Sequence, residues 1–338
     1  MTNTTQPRIE ILLEEVLKQK ASDLHLQVGL PPMLRVDGAL KAVSGVESLN
    51  EELVEQLIFA ILDDDQKQIL LKDKEFDFSF AFGDLGRFRV NAFHEKGNLA
   101  AALRLIPNEI ASIEQLGLPS IVTKFADYPR GLVLVTGPTG SGKSTTLAAM
   151  VQHLNTQSRQ HIVTLEDPIE FVHTSDQCLL TQREIGTHSQ SFSHALRAAL
   201  REDPDVILIG ELRDLETIRL ALTAAETGHL VLASLHTRSA AASIERLVDV
   251  FDAHEKALVR TQLSDALVGV VSQMLHPTPA HQGRVAVFET LVATPAIRHL
   301  IREGKTVHMQ SALQTGAAHG MQTMEQALTQ ARSQGRIA

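Results

Sequence analysis

The chain has 338 residues, enough for two domains, and its 43% hydrophobic and 21% charged residues match an ordinary folded protein that buries a full core. A net charge of −9 and an aromatic content of only 4% argue against a nucleic-acid binder, which needs a basic stripe and stacking rings. The single cysteine, Cys178, excludes an intrachain disulfide framework and a cysteine-rich zinc site, and is expected to be a small buried hydrophobe in a reducing compartment.

The N-terminus lacks the basic-then-apolar plan of a signal peptide, and no run of about 18 apolar residues offers a membrane span. A cytoplasmic protein is therefore expected. Residues up to Gln6 read as disordered. From Pro7 to Lys20, Ile9, Leu12, Leu13, Val16 and Leu17 recur at helical spacing. In ASDLHLQVG, Leu24, Leu26 and Val28 alternate with His25 and Gln27, as in a half-buried strand. Asp37-Gly38 signals a hairpin. A helix follows near Asn50 to Leu62. The alternating runs FDFSFAF and RFRVNAF flank Gly83-Asp84-Leu85-Gly86 as a second hairpin, and Leu99 to Ile106 reads as a further strand. This half is α+β with mostly antiparallel strands.

Pro107 to Pro119 reads as a linker. Beyond it, the short runs LVLVT, IVTL, VILI and LVLAS alternate with helices near Lys143–Asn155, Phe192–Glu202, Leu215–Glu226 and Ala240–Val250. Such alternation implies a mostly parallel, doubly wound sheet. From about Ala253 the tail reads as mainly helical. The expected domains are residues 1–106, with a linker to about 119, and 107–338.

Gly137-Pro138-Thr139-Gly140-Ser141-Gly142-Lys143-Ser144-Thr145 fits the phosphate-binding pattern G-x-x-x-x-G-K-[ST]. The strand LVLVT runs into it and a helix leaves it. Glycines let backbone N–H groups turn toward the phosphates, and the helix N-terminus adds its positive end. Lys143 is expected to reach the β- and γ-phosphates and Ser144 to ligate Mg²⁺.

Phosphoryl transfer to water needs an acid near the metal and a group that orients the water. Candidates stand at strand ends, where open α/β sheets bind ligands. Glu211 follows VILIG, with Gly210 between it and the strand. It is the candidate catalytic glutamate, acting on Mg²⁺ partly through water. Glu166 ends IVTL and assists the water or the metal. Asp167, before Pro168, reads equally as a turn former. Asp205 lies at the strand's entry. His229 and His236 bracket LVLAS. His236 emerges at the strand end as a γ-phosphate sensor, whereas His229 reads as structural. Alternation puts Arg87 and Arg89 on one strand face. They are either a solvated sheet face or, with Arg104, arginine fingers that act in trans.

In combination, GPTGSGKST, TLEDPIEF, DVILIGELRD and TGHLVLASLHT resemble the Walker A, Asp, atypical Walker B and His boxes of the secretion-ATPase superfamily of type II secretion and type IV pili. ASDLHLQVGLPPMLRVDG, PAIRHLIREGK and HGMQTMEQAL resemble segments of its retraction, or twitching-motility, ATPases. Extension and secretion members carry an extra N-terminal domain and a four-cysteine metal site, for which this chain offers neither length nor cysteines. The resemblance implies an α/β protein: a PAS-like α+β domain, then a RecA-like P-loop domain with a helical C-terminal region. It implies a homo-hexamer that hydrolyses ATP with Mg²⁺, binds nucleotide between its domains and is closed by Arg87 and Arg104. It implies work on an inner-membrane platform protein, beside a paralogous accessory ATPase. A poorly hydrolysing regulatory subunit and a nucleic-acid translocase are the rival readings. Two departures stand out. Glu95-Lys96-Gly97 replaces a segment that commonly carries Arg before the glycine, and Lys cannot make the bidentate phosphate contact of Arg. His299 stands where Asn is common.

Overall fold

The computed structural model describes residues 7–36, 38–83, 85–106, 109–279 and 283–337. The expectations for the first six residues, for Asp37 and Asp84 in the two hairpins, and for Pro107 lie outside them. The chain separates into two compact units, the first ending at Glu109 and the second beginning at Ile110.

The first unit runs α1 (Ile9–Lys18), β1 (Asp23–Gln27), β2 (Met33–Val36), β3 (Ala39–Ala42), α2 (Glu51–Phe59), α3 (Asp64–Asp73), β4 (Glu75–Phe82), β5 (Gly86–Glu95) and β6 (Asn98–Ile106). Its antiparallel sheet has the order β3-β2-β1-β6-β5-β4. Alternation decides its faces. Phe78, Phe88, Val90, Leu103 and Leu24 point into a core shared with α1 and α2. Cross-strand pairing aligns Ser79, Arg89, Arg104, Asp23 and Arg35 on the opposite face. Asp23 is buried and accepts from Arg104 Nε at 2.9 Å and from the Ser22 hydroxyl at 2.7 Å. Burial alone would raise its pKa, but the donors at Ser22 and Arg104 hold its carboxyl below the usual range. Lys96-Gly97 is a two-residue hairpin turn with φ of 51° and 88°. Such turns need positive φ at both positions, which glycine adopts freely.

The second unit contains α4 (Ile121–Ala126), β7 (Gly131–Thr136), α5 (Lys143–Gln157), β8 (His161–Glu166), β9 (Leu179–Glu184), α6 (Phe192–Ala199) and β10 (Val206–Ile209). It continues with α7 (Leu215–Glu226), β11 (Leu230–Leu235), α8 (Ala240–Asp249), α9 (Lys256–Ala266), β12 (Leu267–Pro277) and β13 (Arg284–Val292). Helices α10 (Pro295–Arg302), α11 (Met309–Thr315) and α12 (Met324–Ser333) complete it. The sheet order is β13-β12-β7-β11-β10-β8-β9, parallel except for β13. The central strands are buried on both sides, so they are continuously apolar. Leu132 and Leu134 of β7 face α6 to α10, while Val133 and Val135 face α4 and α5. This is the RecA-like, doubly wound arrangement.

Three expectations need correction. The tail beyond Ala253 is not mainly helical until residue 295, because β12 and β13 close the sheet beside β7. The run LVGVVSQML continues straight from α9 without a Gly or Pro break, and burial on both faces removes its alternation. Helices α3 and α4 and strand β9 have no counterpart in the elements expected from the sequence. The stretch read as a linker is partly core, since Ile113 and Leu118 are buried in the second unit.

Candidate nucleotide site

The parallel register brings the C-terminal ends of β7, β11, β10 and β8 to one edge, in that order. The phosphate-binding loop leaves β7, His236 leaves β11, Glu211 follows β10, and Glu166 ends β8. Sheet order therefore dictates which candidates can touch.

Gly137, Gly140 and Gly142 have φ of 149°, 75° and 90°. A Cβ at Gly137 would lie 2.4 Å from the Gln273 carbonyl oxygen, so no larger residue fits. The loop then enters α5 at Lys143. The Lys143 ammonium is buried and folds back to donate to the carbonyls of Gly137 at 3.0 Å and Pro138 at 3.2 Å. Burial lowers its pKa, against the opposing pull of Glu211 and Glu170. The Ser141 hydroxyl is buried with no partner among the described residues. A glycine-rich loop leading into a helix N-terminus, a folded-back ammonium and an orphaned hydroxyl fit a phosphate chain.

Lys143 Nζ also lies 3.5 Å from His236 Nδ1, and His236 Nε2 lies 3.2 Å from Glu211 Oε2. The ammonium can only donate, so its contact makes His236 Nδ1 the acceptor and leaves Nε2 turned toward Glu211. Arg213 Nε lies 2.8 Å from the same Glu211 Oε2 as an ion pair. Both contacts fall on one oxygen, which leaves Oε1 unengaged among the described residues. Gly210 explains the atypical box. Its N–H donates to the Leu165 carbonyl at 2.7 Å, and its carbonyl accepts from the Ser234 hydroxyl at 2.5 Å. A Cβ there would sit 3.2 Å from the Leu165 oxygen. The glycine lets the segment wedge between β8 and β11 and turn Glu211 toward the loop.

Glu166 accepts from the Thr164 hydroxyl at 2.7 Å and from Gln182 Nε2 at 3.2 Å. Burial pushes its pKa up; Thr164, Gln182 and the Glu170 backbone oppose, while the Glu170 charge adds to the rise. A raised folded value means that the folded state holds the proton more tightly than the unfolded chain. Stability from this group is therefore full at acid pH and is lost as pH rises through the folded value. Glu166→Gln is expected to melt higher than wild type at pH 8 and level with it at pH 4, read by calorimetry.

Other candidates stand elsewhere. His229 sits at the opposite end of β11, where its ring and its N–H both meet the Ala224 carbonyl. Asp205 accepts from the His161 N–H at the entry of β10. Cys178 is buried and contacts the Leu154 and Ser158 carbonyls. Arg87 and Arg104 lie in the first unit, where Arg87 Nη2 donates to the Ser79 hydroxyl at 2.5 Å. Lys96 pairs with Glu95 at 2.7 Å.

Sequence reasoning missed Arg213, Glu170 and Gln273. Only Arg213 and Glu170 carried a signal, each lying within a box already singled out. Gln273 of β12 backs the loop. Its Nε2 donates to the Ser141 carbonyl at 2.7 Å, and its Oε1 accepts from the Thr146 hydroxyl at 2.9 Å. Gln273→Leu strands both buried groups, at about 1–3 kcal/mol each. The expected result is a lower urea midpoint together with weaker binding of Mg-ATP.

The family model of type II/IV secretion system proteins matches residues 2–336. This chain belongs to the type II/IV secretion system protein family. It is a P-loop ATPase of that family. It is 55% identical to the Pseudomonas aeruginosa type IV pilus retraction ATPase PilT, over 94% of this chain and 92% of that protein. The type IV pilus ATPase PilU of the same organism is 40% identical over 97% of this chain and 86% of its own length. A crystal structure of the pilus retraction motor PilT with bound ADP superposes with a TM-score of 0.93. It has 44% identity and covers 98% of this chain and 95% of that one.

Proposed function

We propose that this family member is the motor that retracts a type IV pilus, working as a homo-hexameric ring at the cytoplasmic face of the inner membrane. The observation that carries the reading is the gap in similarity within one organism: 55% to the retraction ATPase against 40% to its paralogue, at comparable coverage of this chain. Residues 137–145 cradle the phosphates of ATP, with Lys143 as the movable charge. Ser144 and Glu211 offer the hard oxygen donors that suit Mg²⁺, the latter partly through water; bound Mg²⁺ would neutralise charge on the β- and γ-phosphates. Glu211 Oε1 orients and deprotonates the attacking water, while Arg213 and His236 fix the carboxylate from its other oxygen. His236 reads the γ-phosphate and Glu166 assists the water. Arg87 and Arg104 are the proposed arginines that stabilise the transferred group in trans.

Successive differences in affinity between ATP and product states convert hydrolysis into movement. That movement acts on a membrane platform protein, which removes pilin from the pilus base. No described helix is long and apolar enough to cross a membrane, in keeping with a peripheral motor. Gene deletion tests the reading. Long pili that fail to retract, with loss of surface motility, are expected. Absence of pili would point to extension instead, and normal retraction would point to an accessory role like that of the paralogue.

A further inference from the structure

Strand β13 carries a carboxylate that the site chemistry does not use. Glu289 is 3% exposed, and no ion pair reaches it among the described residues. Burying a carboxylate is costly unless something compensates its charge. Here two helix N-termini do so. Glu289 Oε1 accepts from the Ala240 N–H at 2.8 Å, and Oε2 accepts from the Met324 N–H at 3.3 Å. Ala240 is the first residue of α8 and Met324 the first of α12, so both positive helix ends converge on one side chain.

The two helices have different attachments. Helix α8 begins four residues after His236, which contacts both Lys143 and Glu211. The Thr237 hydroxyl bonds to Ser243 at 2.6 Å, and Ser239 caps the Ala242 N–H, so the loop and the first turn of α8 form one body. Helix α12 belongs to the C-terminal region. The strand-like residue before it, Gln322, exchanges two backbone bonds with Thr290, at 3.0 and 3.1 Å, and the Thr290 hydroxyl reaches the Gly320 carbonyl at 2.8 Å. Glu289 also pairs in register with Ser272, next to the Gln273 that backs the phosphate loop.

We propose that Glu289 is a positioning residue that couples the phosphate-sensing loop at His236 to the C-terminal segment around Gln322 and Met324. Phosphate binding draws Lys143 off the loop carbonyls and moves its neighbour His236. The body of His236 to Ser243 follows, and Glu289 passes the displacement to α12. The C-terminal segment thus takes one position with ATP and another without it. The inference rests on the ATPase reading of the same site.

Hydrogen exchange of the full-length protein with and without Mg²⁺ and AMP-PNP, a non-hydrolysable ATP analogue, tests it. In wild type, peptides spanning residues 137–146 and 320–327 should both exchange about fivefold or more slowly with nucleotide, the lower end of ordinary coupling. In Glu289→Gln the amide can offer an oxygen to only one of the two N–H groups. The response at 137–146 should survive and that at 320–327 should vanish. Met324→Pro removes the α12 donor at the first helical position, where proline is tolerated, and should give the same result if Glu289→Gln does not fold. A glutamate with a merely structural role would lower Tm and leave the nucleotide response at 320–327 intact. That outcome in either variant overturns the proposal. So does a wild-type response confined to 137–146. Loss of both responses in wild type sinks the ATPase reading and the coupling together.

Discussion

Lys143→Ala should abolish nucleotide-dependent behaviour while leaving the fold in place. The ammonium supplies charge-assisted hydrogen bonds to phosphate oxygens inside a buried loop, and truncating one partner of such a pair costs about 2–5 kcal/mol. That corresponds to a loss of roughly 30-fold to several-thousand-fold in Mg-ATP affinity. The effect on the unliganded protein should be far smaller, because two contributions oppose. The variant loses the donors at the Gly137 and Pro138 carbonyls, but it also sheds a buried charge whose desolvation lowers its pKa. The discriminating measurement is the shift in Tm on adding nucleotide. A ligand at 100 times its Kd stabilises by about 2.7 kcal/mol, and at the same concentration the variant should keep about a third of this after a 30-fold loss of affinity and almost none after a thousand-fold loss. Lys143→Arg should fail as well, since the planar fork is bulkier than the buried path that the lysine stem follows. Retention of the full nucleotide shift in Lys143→Ala would remove the phosphate-loop reading altogether.

Local features of the site can be read from the chain, and long-range ones cannot. The loop from Gly137 to Thr145 is contiguous, and its strand–loop–helix context lies within about 25 residues. Glu211, Glu166 and His236 were visible because each ends a short apolar run, and parallel strands present their C-terminal ends to one edge. That Lys143, His236 and Glu211 would form one connected line was not visible, because it depends on β11 lying between β7 and β10. Gln273 is the extreme case. It lies 132 residues from the Ser141 carbonyl that it holds, inside a strand read as helix. Glutamine has no intrinsic mark of such a role; only the register of β12 beside β7 creates it. The miss at α3 had a different cause. Only Leu70 is buried there, so the apolar periodicity is weak. Its capping box, Asp63 with Gln66, was the available signal.

Glu211→Gln should separate binding from turnover. The amide is nearly isosteric, and its oxygen can take the place of Oε2 beside Arg213 Nε and His236 Nε2. The amide nitrogen then occupies the position of Oε1 and cannot take a proton from water. General-base contributions of this kind are worth about 10²–10⁴ in rate, so phosphate release should fall by that factor. Nucleotide affinity should hold or rise, because one negative charge leaves the neighbourhood of the phosphates and of Lys143. The pairing of the two effects is the test, read as steady-state phosphate release beside a direct Kd for Mg-ATP. Glu166 gives the internal comparison. Its Oε1 is already taken by Thr164 and Gln182, and no contact among the described residues joins it to the line of Lys143, His236 and Glu211, so it is placed to assist the water rather than to take its proton. Glu166→Gln should therefore reduce turnover less than Glu211→Gln. The reverse ranking would move the base from the end of β10 to the end of β8, and Glu211 would keep only the positioning of His236 and the metal.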